Sequence, residues 1–211
     1  MLQQYFPELS KQQLEDYARM EQLYLEWNAK INVVSRKDTD KLMERHILHA
    51  LSVAKIASFK TGDKVLDVGT GGGFPGVPLA LMYPKVQFTL CDSIGKKIKV
   101  VQEVSESLGL TNVKAVWDRA ENIDDKFDHV TSRAVARCAK LLPWLRGKVK
   151  KDSQGNMEGG SYLLKGGENL NEELVEAKQE AVIHNISDLF EAEFFETKKV
   201  VEIKRLSRYY F

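Results

Sequence analysis

Val65-Leu66-Asp67-Val68-Gly69-Thr70-Gly71-Gly72-Gly73-Phe74-Pro75-Gly76 decides how the rest of this 211-residue chain is read. Val65 to Val68 are apolar apart from one aspartate, and glycines follow at once. The pattern predicts a buried strand running into a turn where the backbone takes positive φ and lets a ligand come close. Pro75, Val77, Leu79, Ala80 and Leu81 then read as the first turn and body of a helix. Strand, glycine turn and helix form the opening unit of a doubly wound α/β sheet, whose ligands sit outside the carboxyl ends of the strands.

Two registers compete for the ligand. Gly71 to Gly76 formally fits G-x-G-x-x-G, the dinucleotide fingerprint, which alone is a weak signal. The other register, Asp67-x-Gly69-x-Gly71-x-Gly73, resembles motif I of the S-adenosylmethionine-dependent methyltransferases. A diphosphate needs N–H donors at a helix N-terminus, and Pro75 removes one of them. S-adenosylmethionine carries a sulfonium and an amino-acid tail instead of phosphate, so the second register is preferred. A purely structural turn is a poor reason for so many glycines.

Composition bounds the alternatives. Hydrophobic residues make up 43% of the chain and the net charge is +1. A sizeable core is possible, and any nucleic-acid contact must use a local basic patch. Cys91 and Cys138 give neither a disulfide framework nor a metal-ligand pattern, which suits a reducing cytoplasm. No apolar run reaches membrane-spanning length and no signal peptide is expected.

Upstream, Ser10 and Gln13 have capping-box spacing, and Leu14, Tyr17, Met20, Tyr24, Trp27 and Ile31 follow at helical spacing. A loop is expected over Asn32–Lys37, then a second helix from about Asp38 to Ser58 with apolar residues on more than one face. Residues 1–60 thus read as a helical cap on an α/β unit at 61–211, the whole forming one compact body. His46 and His49 lie three apart on that helix; without a third ligand they read as a satisfied or surface-facing pair rather than a metal site.

Downstream, Val86–Cys91 predicts the second strand. Asp92 ends it about 20 residues after the glycine turn, where a carboxylate would accept hydrogen bonds from ribose hydroxyls. A helix over Ile94–Leu108 should carry Lys96, Lys97 and Lys99 near its start, as a solvated face or a place for RNA phosphates. Val113–Trp117 is the third strand, followed by a loop whose Ala120 and Glu121 would flank an adenine. Phe127–Ser132 is the fourth, with Arg133 at its carboxyl end, then a helix over Arg137–Arg146. Gly147–Gly160 reads as a mobile surface loop. Ser161–Lys165 is the fifth strand, a short helix covers Glu172–Gln179, and Ala181–Ile186 with Lys199–Arg205 make a hairpin-like pair at the sheet edge.

The end of the fourth strand faces the methyl group in such a fold. Ser132-Arg133-Ala134 lacks the Asp/Asn-Pro-Pro-aromatic motif typical of exocyclic amine methylation. Cys138 falls about one turn into the next helix, poorly placed as the nucleophile for pyrimidine C5 chemistry. An acceptor already nucleophilic when neutral remains, such as guanine N7. Catalysis then reduces to in-line positioning without a general base, and an arginine can stack on a base and pair with a carbonyl or carboxylate.

Trp27-Asn28 with Ile31-Asn32, Arg45-His46-Ile47-Leu48, the Asp67–Gly76 run, Asp92-Ser93-x-Gly95-Lys96-Lys97, Ser132-Arg133-Ala134 and Leu164-Lys165-Gly166 together resemble the bacterial ribosomal RNA small subunit methyltransferase G family, also called GidB. The likeness runs over nearly the whole chain. It implies a Rossmann-like class I S-adenosylmethionine-dependent methyltransferase with a seven-stranded, mostly parallel sheet. It also implies transfer to N7 of one guanine in 16S ribosomal RNA, in the cytoplasm, on the small ribosomal subunit or its precursor.

By the glycine register and the resemblance, the cofactor set is Asp67, Gly69, Gly71, Gly73, Phe74, Asp92, Ala120, Glu121 and Arg133, with Arg133 also catalytic. RNA contacts are assigned to Arg36, Arg45, Lys96, Lys97 and Lys165; Lys37, Lys148, Lys150 and Lys151 would add to them if they share a face. Gly72 stands where relatives often have proline, a change expected to be tolerated. A monomer without metal or membrane partner is expected. A small-molecule or protein methyltransferase, a nicotinamide-dependent oxidoreductase and a non-catalytic RNA-binding assembly factor are the rival readings.

Overall fold

The computed structural model describes residues 1–153 and 157–206; the side chains of Arg36 and Lys37 lie outside the description, as do 207–211 of the unit read as 61–211. Seven strands form one sheet: β1 (Lys64–Val68), β2 (Gln87–Asp92), β3 (Val113–Trp117), β4 (His129–Arg133), β5 (Ser161–Gly166), β6 (Val182–Asn185) and β7 (Lys198–Ile203). Their order is β3-β2-β1-β4-β5-β7-β6. β1 to β5 pair in parallel, whereas β7 is antiparallel to both β5 and β6. The chain winds outward from β1 in one direction and from β4 in the other. The β1/β4 boundary is therefore the switch point at which such sheets open a crevice.

Before the sheet come α1 (Leu2–Tyr5) and α2 (Lys11–Lys30). The capping box closes as expected: Gln13 N–H donates to Ser10 Oγ at 3.2 Å, and Ser10 N–H to Gln13 Oε1 at 3.1 Å. Tyr17, Met20 and Tyr24 are the fully buried stripe of α2. Tyr17 O–H donates to the Pro78 carbonyl at 2.8 Å, tying α2 to α4 (Gly76–Met82). One hydrophobic cluster contains Tyr17, Met20, Leu42 and Ile47 together with Phe74, Val77, Phe88 and Leu90, so the N-terminal helices and the sheet bury each other.

The second helix departs from its expected regular form. Arg36–Lys41 is 3-10, Met43–Leu48 is π-helical, α3 (His49–Leu51) is one short α turn, and Ser52–Lys55 is 3-10 again. Every residue from His46 to Val53 is buried. A regular helix has no single face for eight consecutive residues (46 to 53), so this stretch, covered on all sides, widens and then tightens instead.

α5 (Gly95–Ser107), α6 (Cys138–Leu145) and α7 (Leu170–Glu176) complete the layers. β4 begins two residues later than expected, because Phe127 pairs with the 147–153 segment rather than with the sheet. Phe127 N–H donates to the Lys148 carbonyl and Lys150 N–H to the Phe127 carbonyl, both at 2.8 Å. Lys151 bridges Met157. The expected mobile loop is thus tied down on both of its described flanks; residues 154–156 lie outside the description.

Candidate functional site: a cleft at the switch point

β1 delivers Asp67 into the interior, not into the crevice. The residue is fully buried. Its Oδ2 accepts from Thr70 O–H at 2.5 Å and Gly76 N–H at 3.0 Å, and its Oδ1 from Thr131 O–H at 3.1 Å. These bonds favour the ionised form, but burial outweighs them and pushes the carboxyl up to about 6. Asp67 therefore knots the glycine turn to the start of α4 and to β4. Its expected place among the cofactor contacts is corrected: it does not line the cleft.

Gly73 is corrected in the same way. It has φ +111°, and a Cβ on it would lie 2.6 Å from Tyr24 Oη and from Val77 Cγ2. This glycine is required by packing under α2, away from the cleft. Gly69 differs: at φ +64° it bounds the cleft, and its missing Cβ would fall 2.5 Å from Val135 Cγ2.

β2 ends in Asp92, which is nearly buried. Its two oxygens accept one backbone bond each, Oδ2 from Gly71 N–H and Oδ1 from Ile94 N–H, both at 2.9 Å. A carboxylate has about four acceptor positions. The two bonds fix the orientation of Asp92 and leave capacity for ligand hydroxyls. Neither Asp92 nor Ser93 caps α5 with its side chain; Ile94 is the cap residue.

The resulting cleft has a volume of 540 Å³, within the range of small-molecule sites. Gly69, Gly71, Phe74, Asp92, Ala120, Glu121 and Arg133 all line it, as do Val33, Val135 and Lys97, which sequence reasoning did not assign to the cofactor. Val33 arrives because Asn28 Oδ1 accepts from Val33 N–H at 2.8 Å and Val34 N–H at 2.9 Å, folding the segment after α2 over the glycine turn.

Arg133 is held from two sides. Its guanidinium lies 4.8 Å from the centroid of the Phe74 ring, and its Nη2 donates to His46 Nδ1 at 3.0 Å. A guanidinium only donates, so His46 is neutral and carries its proton on Nε2. Burial, and then the Arg133 charge, push the His46 pKa down to about 3. Burial likewise lowers Arg133 to about 10, with Asp67 opposing the shift; it remains a cation at neutral pH. His46 is the residue at the site that sequence reasoning undervalued. It is buried, not surface-facing, and its partner is 87 residues away. The Arg45-His46-Ile47-Leu48 motif was the one available signal.

The described basic residues assigned to RNA differ in what holds them. Lys97 is at the cleft and Lys96 is exposed beside it. Arg45 is paired with Asp38 at 2.5 Å and stacked over Phe194. Lys165 is nearly buried, 2.7 Å from Glu173 Oε2, and donates to the Ala136 carbonyl at 2.8 Å. Lys148 is buried and donates to the Glu121 and Ile123 carbonyls, while Lys150 pairs with Asp128. Arg45, Lys165, Lys148 and Lys150 are thus committed within the fold. The Arg36 and Lys37 side chains lie outside the description.

Neither cysteine is primed for attack. Burial pushes the Cys91 thiol up to about 12 and the Cys138 thiol up to about 11. Among the described residues no group of three or more His, Cys, Asp or Glu side chains is placed to hold a metal ion, and no helix is long and apolar enough to cross a membrane.

Five parallel strands, an antiparallel β7 inserted between β5 and β6, and a glycine-lined crevice closed by an acidic residue at the end of β2 define a class I S-adenosylmethionine-dependent methyltransferase. Solved structures share this fold. An S-adenosylmethionine-dependent methyltransferase from Aquifex aeolicus superposes with a TM-score of 0.59 at 18% identity, covering 80% of this chain and 94% of that one. A ribosomal protein L11 methylase from Lactobacillus delbrueckii subsp. bulgaricus gives 0.56 at 17% identity, covering 75% and 77%.

The family described as GidB, rRNA small subunit methyltransferase G, matches residues 10–201. Curated relatives named ribosomal RNA small subunit methyltransferase G include those of Christiangramia forsetii, 51% identical over 95% of this chain and 94% of its own, and Bacteroides thetaiotaomicron, 49% identical over 93% and 95%. The chain belongs to the rRNA small subunit methyltransferase G family.

Proposed function

We propose that this protein transfers the methyl group of S-adenosylmethionine to N7 of one guanine in 16S ribosomal RNA, on the small subunit or its precursor, in the cytoplasm. One observation carries the reading. A rigid, fully protonated Arg133 stands at the β4 end of a cleft whose opposite wall is an acidic residue fixed by two backbone bonds.

The residues present fit the donor. Asp92 has acceptor positions to spare for ribose hydroxyls, and Ala120 and Glu121 bound the cleft where an adenine edge would rest. When bound, the donor supplies an electrophilic methyl on a cationic sulfur. Asp92 and the Gly69–Gly71 backbone hold the adenosyl portion, and the Phe74 ring supports Arg133. Arg133 presents donors to a carboxylate or carbonyl, and guanine O6, beside N7, is such a carbonyl. N7 is unprotonated at neutral pH, so no residue has to remove a proton. The chain's contribution is orientation and exclusion of water.

The test is to incubate undermethylated small subunits with isotopically labelled donor and map the modified nucleotide. Label at N7 of a single guanine is expected. Label in protein, or at an exocyclic nitrogen, would overturn the assignment.

A further inference from the structure

A second cavity of 470 Å³ opens next to the cleft, between the ends of β4 and β5 and the start of α7. Ala134 and Val135 belong to both cavities. Ala134 has φ +52°, a left-handed conformation that costs free energy in a residue with a Cβ. This strained residue forms the ridge between the two spaces.

Beyond the ridge the polar lining includes Lys165, Asn169 and Glu173. Glu173 Oε2 accepts from Lys165 Nζ at 2.7 Å and from Cys138 N–H at 3.0 Å. These two bonds use half of the carboxylate's roughly four acceptor positions. Burial alone would raise this carboxyl, but the Lys165 ammonium and the Cys138 N–H outweigh it and hold it below the usual range. Glu173 is therefore an ionised acceptor, 15% exposed at its side chain, in a cavity sized for a nucleoside.

We propose that this cavity receives the target guanine, with the Glu173 carboxylate accepting hydrogen bonds from its Watson–Crick edge. The inference rests on the function proposed above and deepens it. N7 lies on the opposite side of the purine from N1–H and the N2 amine. A base that turns N7 toward the ridge and the donor cleft therefore turns its two donors toward Glu173. Adenine places a lone pair at N1 and has no N2 amine, so the same carboxylate rejects it.

Glu173 also acts on the chemical step. N7 supplies an electron pair to the methyl carbon, the carbon–sulfur bond breaks with its electrons returning to sulfur, and the positive charge passes to the purine. No proton is transferred. Methylation makes the guanine cationic and its N1–H a stronger donor. The bond to Glu173 is thus stronger in the transition state than in the ground state, which is the condition for catalysis.

Two variants test this on the intact protein. Glu173→Gln keeps the shape and an acceptor for Cys138 N–H. Gly166→Leu fills the cavity from β5, where an added Cβ would meet nothing within 4 Å. The substrates are undermethylated small subunits and the same subunits with the target guanine replaced by adenine.

In Glu173→Gln, donor affinity by calorimetry should stay within about twofold of the parent. Methylation of guanine subunits should fall on the order of 10–100-fold, mainly in kcat, and the preference for guanine over adenine should shrink, since the glutamine amide can donate to adenine N1. Gly166→Leu should bind donor and lose methylation. An equal loss on both substrates in Glu173→Gln, the signature of a structural role, overturns the proposal, as does full activity in Gly166→Leu. A parent protein that places no label on guanine N7 overturns this proposal together with the function beneath it. Labelling by the parent with both variants unimpaired overturns this proposal alone.

Discussion

On the β1–β2 side, the acidic groups take backbone N–H donors, with the Thr70 and Thr131 hydroxyls added at Asp67. Asp92 takes Ile94 N–H two residues on and Gly71 N–H 21 residues back, and Asp67 takes Gly76 N–H nine residues on. On the β4–β5 side the polar groups are satisfied by side chains of other elements. Arg133 reaches His46 across 87 residues, and Lys165 pairs with Glu173 of α7, eight residues on. The first half is a preformed cradle built mainly by β1, the glycine turn, α4 and the end of β2. The second is assembled by tertiary packing, and it is the half that faces the acceptor. Donor binding should therefore tolerate damage beyond the Ala134 ridge, whereas transfer should not.

The largest expected effect lies on the seam. Arg133→Ala should lower kcat for methyl transfer by ~100-fold or more at saturating donor, the scale of losing a positioning contact, and should weaken donor binding as well, since Arg133 lines the donor cleft. A rate assay with labelled donor beside calorimetry checks this, and an unchanged kcat would remove Arg133 from the site.

Next in size is the buried knot of the donor half. Asp67 has its folded pKa raised from 3.8 to about 6. Between those values the native state binds more protons than the unfolded chain, so this group's contribution to stability falls as pH rises through that window and is level above it. The total is about 3 kcal/mol. Asp67→Asn removes the titration. The stability of the parent minus that of the variant, from urea unfolding, should therefore fall by roughly that amount between about pH 4 and about pH 7. A pH-independent difference would show that the three hydrogen bonds offset burial completely.

Asp92→Ala should weaken donor binding on the order of 1.5–3 kcal/mol, with little change in kcat at saturating donor. A large kcat effect would blur the division between the halves. The smallest effect lies outside both. Ser10→Ala removes the cap of α2 and should cost ~1 kcal/mol of stability, read as a fall in Tm of about 2–4 °C, with donor affinity and kcat unchanged.

The same division explains what the sequence allowed to be read. β1, the glycine turn, α4, β2 and Asp92 follow from local pattern, and the structure places them within a residue or two of expectation. Asp67 and Gly73 were read as ligand contacts because spacing shows that a residue is constrained but not by what. One is constrained by Thr70, Gly76 and Thr131, the other by Tyr24 and Val77. Lys165 and Arg45 read as free cations because Glu173 and Asp38, eight and seven residues off, reach them only through tertiary turns of the chain, and Lys148 because its partners are backbone carbonyls 27 and 25 residues back. His46 read as half of a satisfied or surface-facing pair because its partner, Arg133, is 87 residues away. The π-helical stretch was illegible because eight consecutive buried residues carry no periodicity. The flanks of 147–160 were illegible because their order comes from Phe127 and from two carbonyls near Glu121.

A crystal structure with S-adenosylhomocysteine would decide whether the cleft is the donor site. It should show ribose hydroxyls on the Asp92 carboxylate, the adenine edge against Ala120 and Glu121, and sulfur pointing past Gly69 toward the Ala134 ridge. Ligand bound elsewhere, or bound in the cleft with Asp92 turned away from the ribose, would contradict it.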